Sequence, residues 1–391
     1  MFGRRRFLLG AGLSAAGVLA GRLALPRLLR QDPPRALTDE QSDFVAGCLD
    51  GVDRAAIWDV HAHLLGLGKG TECFVSDRMR SHVHPIQRFQ FDVYLASAGF
   101  TPDTEDRDYL DRVAELQGLG NAPGRVMLMA FDMVVDEEGY EQREQSSFHT
   151  PNAYALEAAT THAEVEAIAS IHPYRVDAPE RLRAAVLAGA RAVKWLPGAM
   201  HIDPASPLCE PFYSVMAELG VPLITHAGAE AAVASAFEHY GDPRRLLSPL
   251  EQGVTVVVAH CASLGDAEGE SAFSRFMTLM DDPTWEGQLF GELSAMTQVN
   301  RCGDPLRTVL ERTELHPRLL NGSDYPLPAV DPLVSTLRLR QMGYITADER
   351  RLCNGVYRRN PLLFDLVVKR CLRVDGVGFA ASAFETRRHF V

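Results

Sequence analysis

The sequence predicts a single (β/α)8 barrel, and three observations support that fold class. Short apolar, β-branched runs alternate with amphipathic helical patterns, which is typical of βα units with a parallel sheet. Eight such runs occur, the number that closes this kind of barrel. Five of them end in residues able to bind a metal ion or a substrate, and catalytic groups of barrel enzymes lie at the carboxyl ends of strands.

The predicted helices and strands follow one another along the chain. A capping box at residues 38–41 begins a helix that extends to about residue 50. The predicted strands are residues 56–61, 125–131, 166–171, 192–196, 222–225, 254–259, 288–293 and 318–322. Helices with one apolar face are predicted at residues 177–190, 211–220, 304–314 and 348–359. The connection from residue 64 to 124 is too long for a usual βα loop, so we expect an insert over the carboxyl face.

A chain of 391 residues allows two or three domains, but these elements form one barrel. Neither a dinucleotide-binding nor a P-loop glycine motif occurs in the sequence. We therefore divide the chain into a signal or anchor at 1–30, a linker and leading helix at 31–54, the barrel at 55–365 and a C-terminal tail at 366–391.

The first 30 residues have the pattern of an export signal. Arg4, Arg5 and Arg6 precede an apolar run rich in Ala, Gly and Leu. Arginines directly before Phe7 and Leu8 resemble a twin-arginine signal, which bacterial twin-arginine export machinery reads on folded proteins. We expect an exported, periplasmic protein, with an uncleaved N-terminal membrane anchor as the alternative.

The charge balance argues against two classes of partner. Lys and Arg number 39 against 51 Asp and Glu, and residues 1–30 hold six Arg and no acid, so the remainder carries 33 − 51 = −18. Such a body repels phosphate backbones and anionic lipid, so we expect a small-molecule substrate and no nucleic acid. Seven scattered cysteines without a CxxC pair predict no disulfide framework. The oligomeric state stays open.

The strongest chemical signal is a D-x-H-x-H motif at the end of the first predicted strand. Alternation with a period of two puts His61 and His63 on one face, where both imidazoles can reach one metal ion. Asp59 is expected to support the ligands rather than bind the ion. Because the carboxyl ends of barrel strands converge, four more strand ends should meet there: Lys194, His226, His260 and Asp324.

This set of residues resembles the amidohydrolase superfamily, in particular its amidohydrolase-related (amidohydrolase-2) branch of hydrolases and decarboxylases. Three segments are also similar to that branch over roughly residues 55–365: VKWLP at 193–197, THAG at 225–228 and NGSDYP at 321–326. The resemblance implies that His61, His63 and Asp324 hold a first divalent metal.

The resemblance leaves two arrangements open for the other ligands. In mononuclear, decarboxylase-like members His226 would complete the first site, and His260 would act as a general acid/base. In binuclear members a carboxylated Lys194 would bridge two metals, and both histidines would bind the second. An unmodified Lys194 could instead pair with a substrate carboxylate.

The predicted chemistry follows from the donor set. Imidazoles and a carboxylate suit Zn, with Mn, Fe, Co or Ni as alternatives. Such an ion lowers the pKa of bound water from about 15.7 to about 7, and Asp324 could accept the proton and return it to the leaving group. The predicted function is hydrolysis of a C–O or C–N bond in an ester, lactone or amide. The alternatives are decarboxylation of an unsaturated or aromatic acid, and a metal-binding protein without catalysis.

Other candidates have weaker support. His172 and Arg175 follow the third predicted strand and are expected to bind substrate, with Arg175 clamping an anionic group. Glu230 and Glu292 could orient ligands or form ordinary salt links. Cys261 is expected to pack in the barrel wall.

Overall fold

The computed structural model describes residues 31–101, 103–119, 124–230, 233, 235–267, 269–330 and 333–391, so the export signal predicted at 1–30 lies outside the described residues. Eight parallel strands pair in chain order. Backbone hydrogen bonds from Val60 to Asn321 and from His63 to Tyr325, of 3.0 and 2.8 Å, join the first strand to the segment after the last. This closure confirms the predicted (β/α)8 barrel. The strands are β1 Trp58–His63, β2 Arg125–Met129, β3 Val165–Ala169, β4 Ala190–Trp195, β5 Leu223–His226, β6 Val256–Ala259, β7 Leu289–Glu292 and β8 Leu319–Leu320.

Helices surround this sheet, and the four predicted amphipathic segments are helical. The described helices are α1 Asp39–Cys48, α2 Asp77–Arg80, α3 Pro85–Ser97, α4 Asp106–Gly118, α5 Asn152–Thr161, α6 Ala178–Leu187, α7 Pro197–Met200, α8 Glu210–Leu219, α9 Leu247–Glu251, α10 Ala272–Asp281, α11 Asp304–Glu311, α12 Thr336–Gln341, α13 Ala347–Tyr357 and α14 Pro361–Cys371. The predicted capping box is present, because Thr38 and Gln41 exchange backbone-to-side-chain hydrogen bonds. Within this described part of the chain, no helix is both long and apolar enough to cross a bilayer.

Strand boundaries differ most in β1 and β8. Residues 54–56, which overlap the predicted first strand, form a 3-10 turn because the Asp53 carboxylate accepts a hydrogen bond from the Ala55 N–H at 3.0 Å. β8 is only two residues long, since the next carbonyl, of Asn321, already accepts from β1. The predicted domain boundary at 365 falls inside α14.

The barrel interior is a packed apolar layer. Side chains from all eight strands and Phe390 of the C-terminal tail form one buried cluster. Three of its members, Ala192, Ile224 and Phe290, precede Lys194, His226 and Glu292 by two positions. Because side chains alternate with a period of two, these polar residues point inward immediately above the apolar layer.

The long insert between β1 and β2 is folded. It contains α2, α3 and α4, and Phe74–Val75 pairs antiparallel with Phe148–His149. The buried Asp106 carboxylate at the start of α4 accepts hydrogen bonds from the N–H groups of Leu67, Gly68 and Lys69. These bonds hold the chain after β1 in place.

A buried ion pair links α14 to the loop after β8. Lys369 Nζ lies 2.5 Å from Asp365 Oδ2, and both side chains are at most 2% exposed. The same ammonium donates to the Gly322 carbonyl and, at 3.4 Å, to the Asn321 side chain. The pair therefore supports the segment that leads to Asp324.

Replacing Lys369 with Met should lower the free energy of unfolding by about 3–5 kcal/mol, because Asp365 would stay buried without its partner. The double variant Lys369→Met/Asp365→Leu should recover most of that loss. Urea unfolding measures both. The matched control is Arg307→Met in the exposed Arg307–Glu311 pair, expected to cost less than about 1 kcal/mol. A similarly small cost for Lys369→Met would contradict the role of the buried pair.

Candidate metal centre

Three ligand atoms meet at the carboxyl end of β1 and the loop after β8. His63 Nε2 lies 2.9 Å from Asp324 Oδ1, and His61 Nε2 lies 3.5 Å from the same oxygen. All three residues offer atoms within 4.8 Å of one another. With metal–ligand bonds of about 2.0–2.2 Å, two ligands of one ion lie about 3.0–3.5 Å apart. The three residues therefore fit one divalent ion.

The backbone around Asp324 accounts for this close approach. Asp324 has a left-handed conformation with φ of 63°, which Asp tolerates better than most residues, and its N–H donates to the His61 carbonyl at 2.6 Å. At Gly322 a Cβ would lie 2.4 Å from Glu292 Oε1 and 2.6 Å from His61 Cβ. Only glycine lets β1, β7 and the loop after β8 come this close.

Asp59 ties the same segments together. Its Oδ1 accepts hydrogen bonds from the N–H groups of His61, at 3.1 Å, and Ser323, at 2.8 Å. Burial raises the pKa of Asp59 to about 6, although the hydrogen bonds from Ser323 oppose the rise. Asp59 thus orients the backbone that carries the ligands.

Glu292 orients the ring of His61. Its Oε2 lies 2.9 Å from His61 Nδ1 and accepts from Ser294 Oγ at 2.6 Å. Because the Glu292 carboxylate accepts a hydrogen bond from His61 Nδ1–H, the lone pair of His61 is on Nε2 and faces Asp324. Burial, followed by the charge of Lys194, lowers the pKa of His61 well below its usual value. His61 is therefore a neutral imidazole, the form that binds metals.

His260 is held in a similar way by Ser294. Its Nδ1 lies 3.0 Å from the Ser294 carbonyl and 2.8 Å from Ser294 Oγ. Since a carbonyl only accepts, Nδ1 carries the hydrogen and Nε2 is free to take a proton. His260, Cys261 and Ala262 all have positive φ, a backbone conformation that costs about 1–3 kcal/mol per residue. This strained turn sets the ring of His260 with its centroid 5.0 Å from that of His61.

Lys194 and His226 complete the group of six predicted ligands. Lys194 Nζ lies 3.5 Å from His61 Nε2, and burial lowers the pKa of Lys194 to about 8 against the opposing charges of nearby carboxylates. The His226 ring stands beside His260, with centroids 5.4 Å apart. Its Nε2 faces the Ala229 carbonyl at 3.2 Å and its Nδ1 faces Glu230 at 3.5 Å. The structure brings all six residues together. Asp324 contacts His61, the His61 ring lies beside that of His260, and the His260 ring lies beside that of His226.

His172 and Arg175 already have hydrogen-bond partners within the protein, and their binding of substrate stays a prediction. Arg175 donates from Nε and Nη2 to Asp132, at 2.8 and 2.7 Å, and from Nη1 to Glu141 at 2.7 Å. His172 is fully buried with its Nε2 2.9 Å from the Met200 carbonyl. Their carboxylate and carbonyl partners lie far away in sequence, so the motif alone does not show that these side chains form hydrogen bonds within the protein.

Two neighbours of the site carry little or no sequence signal. Ser294 contacts both Glu292 and His260, yet it belongs to no recognised motif; its place two residues after the end of β7 is the only hint. Arg301 lies further along the same loop and is buried, 5% exposed. Cys261 is buried with its Sγ 3.5 Å from the Glu292 carbonyl, packed in the wall as expected.

An apolar pocket lies next to His63 beneath the insert. Its cavity volume is about 110 Å³. His63, Tyr94 and Thr150 supply its polar side chains, and the others are apolar, including Leu65, Met79, Phe91, Leu95, Phe131, Phe148 and Leu327. The predicted insert thus lies over the carboxyl face beside the ligands.

Replacing Glu292 with Gln should weaken metal binding about 10- to 100-fold, because the amide cannot accept the His61 hydrogen bond as a charged group does. Competition with a chromophoric chelator measures the affinity. Glu311→Gln, on the exposed face of α11, is the control and should bind the metal as the unaltered protein does. Unchanged affinity in Glu292→Gln would show that His61 does not need this partner.

Comparison with known proteins identifies a family for most of the chain. The family model described as Amidohydrolase matches residues 58–361. A comparison with curated proteins gives no match.

Several solved structures have a similar barrel. The 5-carboxyvanillate decarboxylase from Sphingomonas paucimobilis is 10% identical over 78% of this chain and 99% of that chain, with a TM-score of 0.42. IDCase from Metarhizium anisopliae is 10% identical over 88% and 98%, with a TM-score of 0.45. N-isopropylammelide isopropylaminohydrolase from Burkholderia multivorans is 17% identical over 84% and 77%, with a TM-score of 0.39. These low values do not indicate which reaction this chain performs.

The family assignment rests on the match from β1 to the start of α14, which covers most of the chain. The ligand group on β1 and after β8 lies inside the matched region. This chain belongs to the amidohydrolase family and is an enzyme of that metal-dependent family.

Proposed function

We propose that the protein is a metal-dependent hydrolase that cleaves a C–O or C–N bond in a small ester, lactone or amide. The observation that supports this most is the position of Asp324. Its Oδ1 lies 2.9 Å from His63 Nε2 and 3.5 Å from His61 Nε2. A carboxylate there can hold the ion and also exchange a proton with water and a leaving group.

The chain's own residues divide the remaining work. His260, whose Nδ1 is held by the Ser294 carbonyl, keeps its Nε2 for a proton and is the second group able to move one. His63 is the most open ligand, with 27% of its side chain exposed, and it borders the apolar pocket. The substrate would therefore approach along His63, with its apolar part beneath the insert.

The ion itself is proposed to be Zn, because the donors are imidazole nitrogens and a carboxylate. When bound, such an ion supplies a Lewis acid that activates water and polarises a carbonyl group. His61, His63 and Asp324 would hold it. A second ion held with carboxylated Lys194, His226 and His260 stays a prediction, and metal analysis with intact mass for one added CO2 on Lys194 tests it.

Asp324→Asn should reduce kcat by about 10²–10⁴-fold on any substrate found, because the amide cannot accept a proton. A panel of lactones, esters, N-acyl compounds and aromatic carboxylates identifies the substrate class. Asp304→Asn, at the exposed start of α11, is the matched control with expected normal turnover. Release of CO2 without incorporation of oxygen from labelled water would instead establish a decarboxylase. Full activity in Asp324→Asn would contradict the proposed role of this carboxylate.

We also propose export to the periplasm through the twin-arginine machinery. The support is the sequence of residues 4–8 alone. Arg4→Lys/Arg5→Lys should leave the protein in the cytoplasm, because the translocase reads the arginine pair. Cell fractionation with immunoblotting measures this, and Arg27→Lys, outside the motif, is the control. Unchanged periplasmic yield in the double variant would exclude this route.

A further inference from the structure

Arg301 is a buried guanidinium whose charge no neighbouring carboxylate directly neutralises. Its Nη1 donates to Ser263 Oγ at 2.8 Å, and its Nε is buried without a hydrogen-bond partner. Among the described residues, no carboxylate oxygen lies within 4.0 Å of it, whereas Arg175 contacts two carboxylates. Burying a charge without a partner is costly, so such a group needs an explanation.

The guanidinium is linked to His260 through Ser263, to which it donates and whose N–H donates to the His260 carbonyl at 3.0 Å. Burial and then the positive charge of Arg301 lower the pKa of His260 well below its usual value. Glu230, Asp324 and Glu292 act on Arg301 through longer-range charge interactions, which oppose the effect of its own burial on its pKa. Arginine does not lose its proton in proteins, so the charge persists.

Arg301 and the apolar pocket occupy different sides of the barrel mouth. Arg301 follows β7 and contacts Ser263 of the loop after β6, while the pocket is lined mainly by the segments that follow β1 and β2 and by the insert. Around the barrel, β8 lies between β7 and β1, and the three strands β3, β4 and β5 lie between β2 and β6. The metal ligands on β1 and after β8 lie between them.

We propose that Arg301 binds a carboxylate of the substrate and thereby determines specificity. The proposal rests on the hydrolase function above and defines its substrate class: a small molecule with a carboxylate toward the β6–β7 side and an apolar group beneath the insert. A guanidinium with an unused Nε–H suits a carboxylate, because the planar donors match its two oxygens. Arg301 thus takes the role that the sequence suggested for Arg175.

Paired substrates test this proposal. Each hydrolysed compound of the panel is compared with its primary amide analogue, in which only the carboxylate is neutral. The unaltered enzyme should prefer the acid. Arg301→Met should lower kcat/KM for the acid about 10- to 100-fold and leave the amide within about threefold. Arg301→Lys should recover part of the preference, and Arg307→Met, in an exposed pair, should keep all of it. Equal losses for acid and amide would overturn the proposal.

A binding measurement separates this proposal from the hydrolase function itself. Phenylacetate and phenylacetamide are titrated calorimetrically into metal-loaded protein, with the metal content of each variant measured beforehand. Phenylacetate should bind Arg301→Met about 10- to 100-fold more weakly than the unaltered protein, and phenylacetamide should bind both alike. This outcome would support the carboxylate site even if no ester, lactone or amide were cleaved. Equal phenylacetate affinity in both proteins would refute it even if hydrolysis were established.

Discussion

The hydrogen bond between Glu292 and His61 is the constraint on which the site depends. It sets which nitrogen of His61 faces Asp324, and it requires β7 and β1 to approach so closely that residue 322 has no room for a side chain. Ser294 then satisfies the same carboxylate and also fixes His260. One buried carboxylate therefore orients His61 on β1 directly and His260 after β6 through Ser294.

The chain handles its buried charges in two distinct ways. Lys369 and Arg175 each face a carboxylate at 2.8 Å or less, and these pairs support the loop after β8 and the loop after β3. In the part of the chain that the structure describes, the polar partner of the Arg301 side chain is the hydroxyl of Ser263, whose N–H donates to the His260 carbonyl. Lys369 and Arg175 are thus neutralised by carboxylates within the protein, while Arg301 has a buried Nε–H without a hydrogen-bond partner.

Much of the architecture could be predicted because it depends on local patterns. Short apolar, β-branched runs identified all eight strands, and the capping box identified the start of α1. Strand ends were harder, because β8 stops where its backbone begins to pair with β1 rather than where its apolar run ends. The ligand-bearing positions could also be predicted, since residues at the carboxyl ends of barrel strands must converge once the barrel closes.

The sequence by itself determined the barrel, the six residues at its mouth and the family to which they point. Periodicity and strand position depend on the local sequence, so they can be recognised without a structure. Only the tertiary structure decided which charged side chains pair with each other. Arg175 follows a strand end as a substrate-binding residue would, yet its guanidinium donates to Asp132 and Glu141. It also decided that Ser294 contacts His61 and His260 and that Arg301 contacts Ser263 in the loop after β6. Pairing between side chains far apart in sequence depends on packing distance, and residue order alone does not specify that distance.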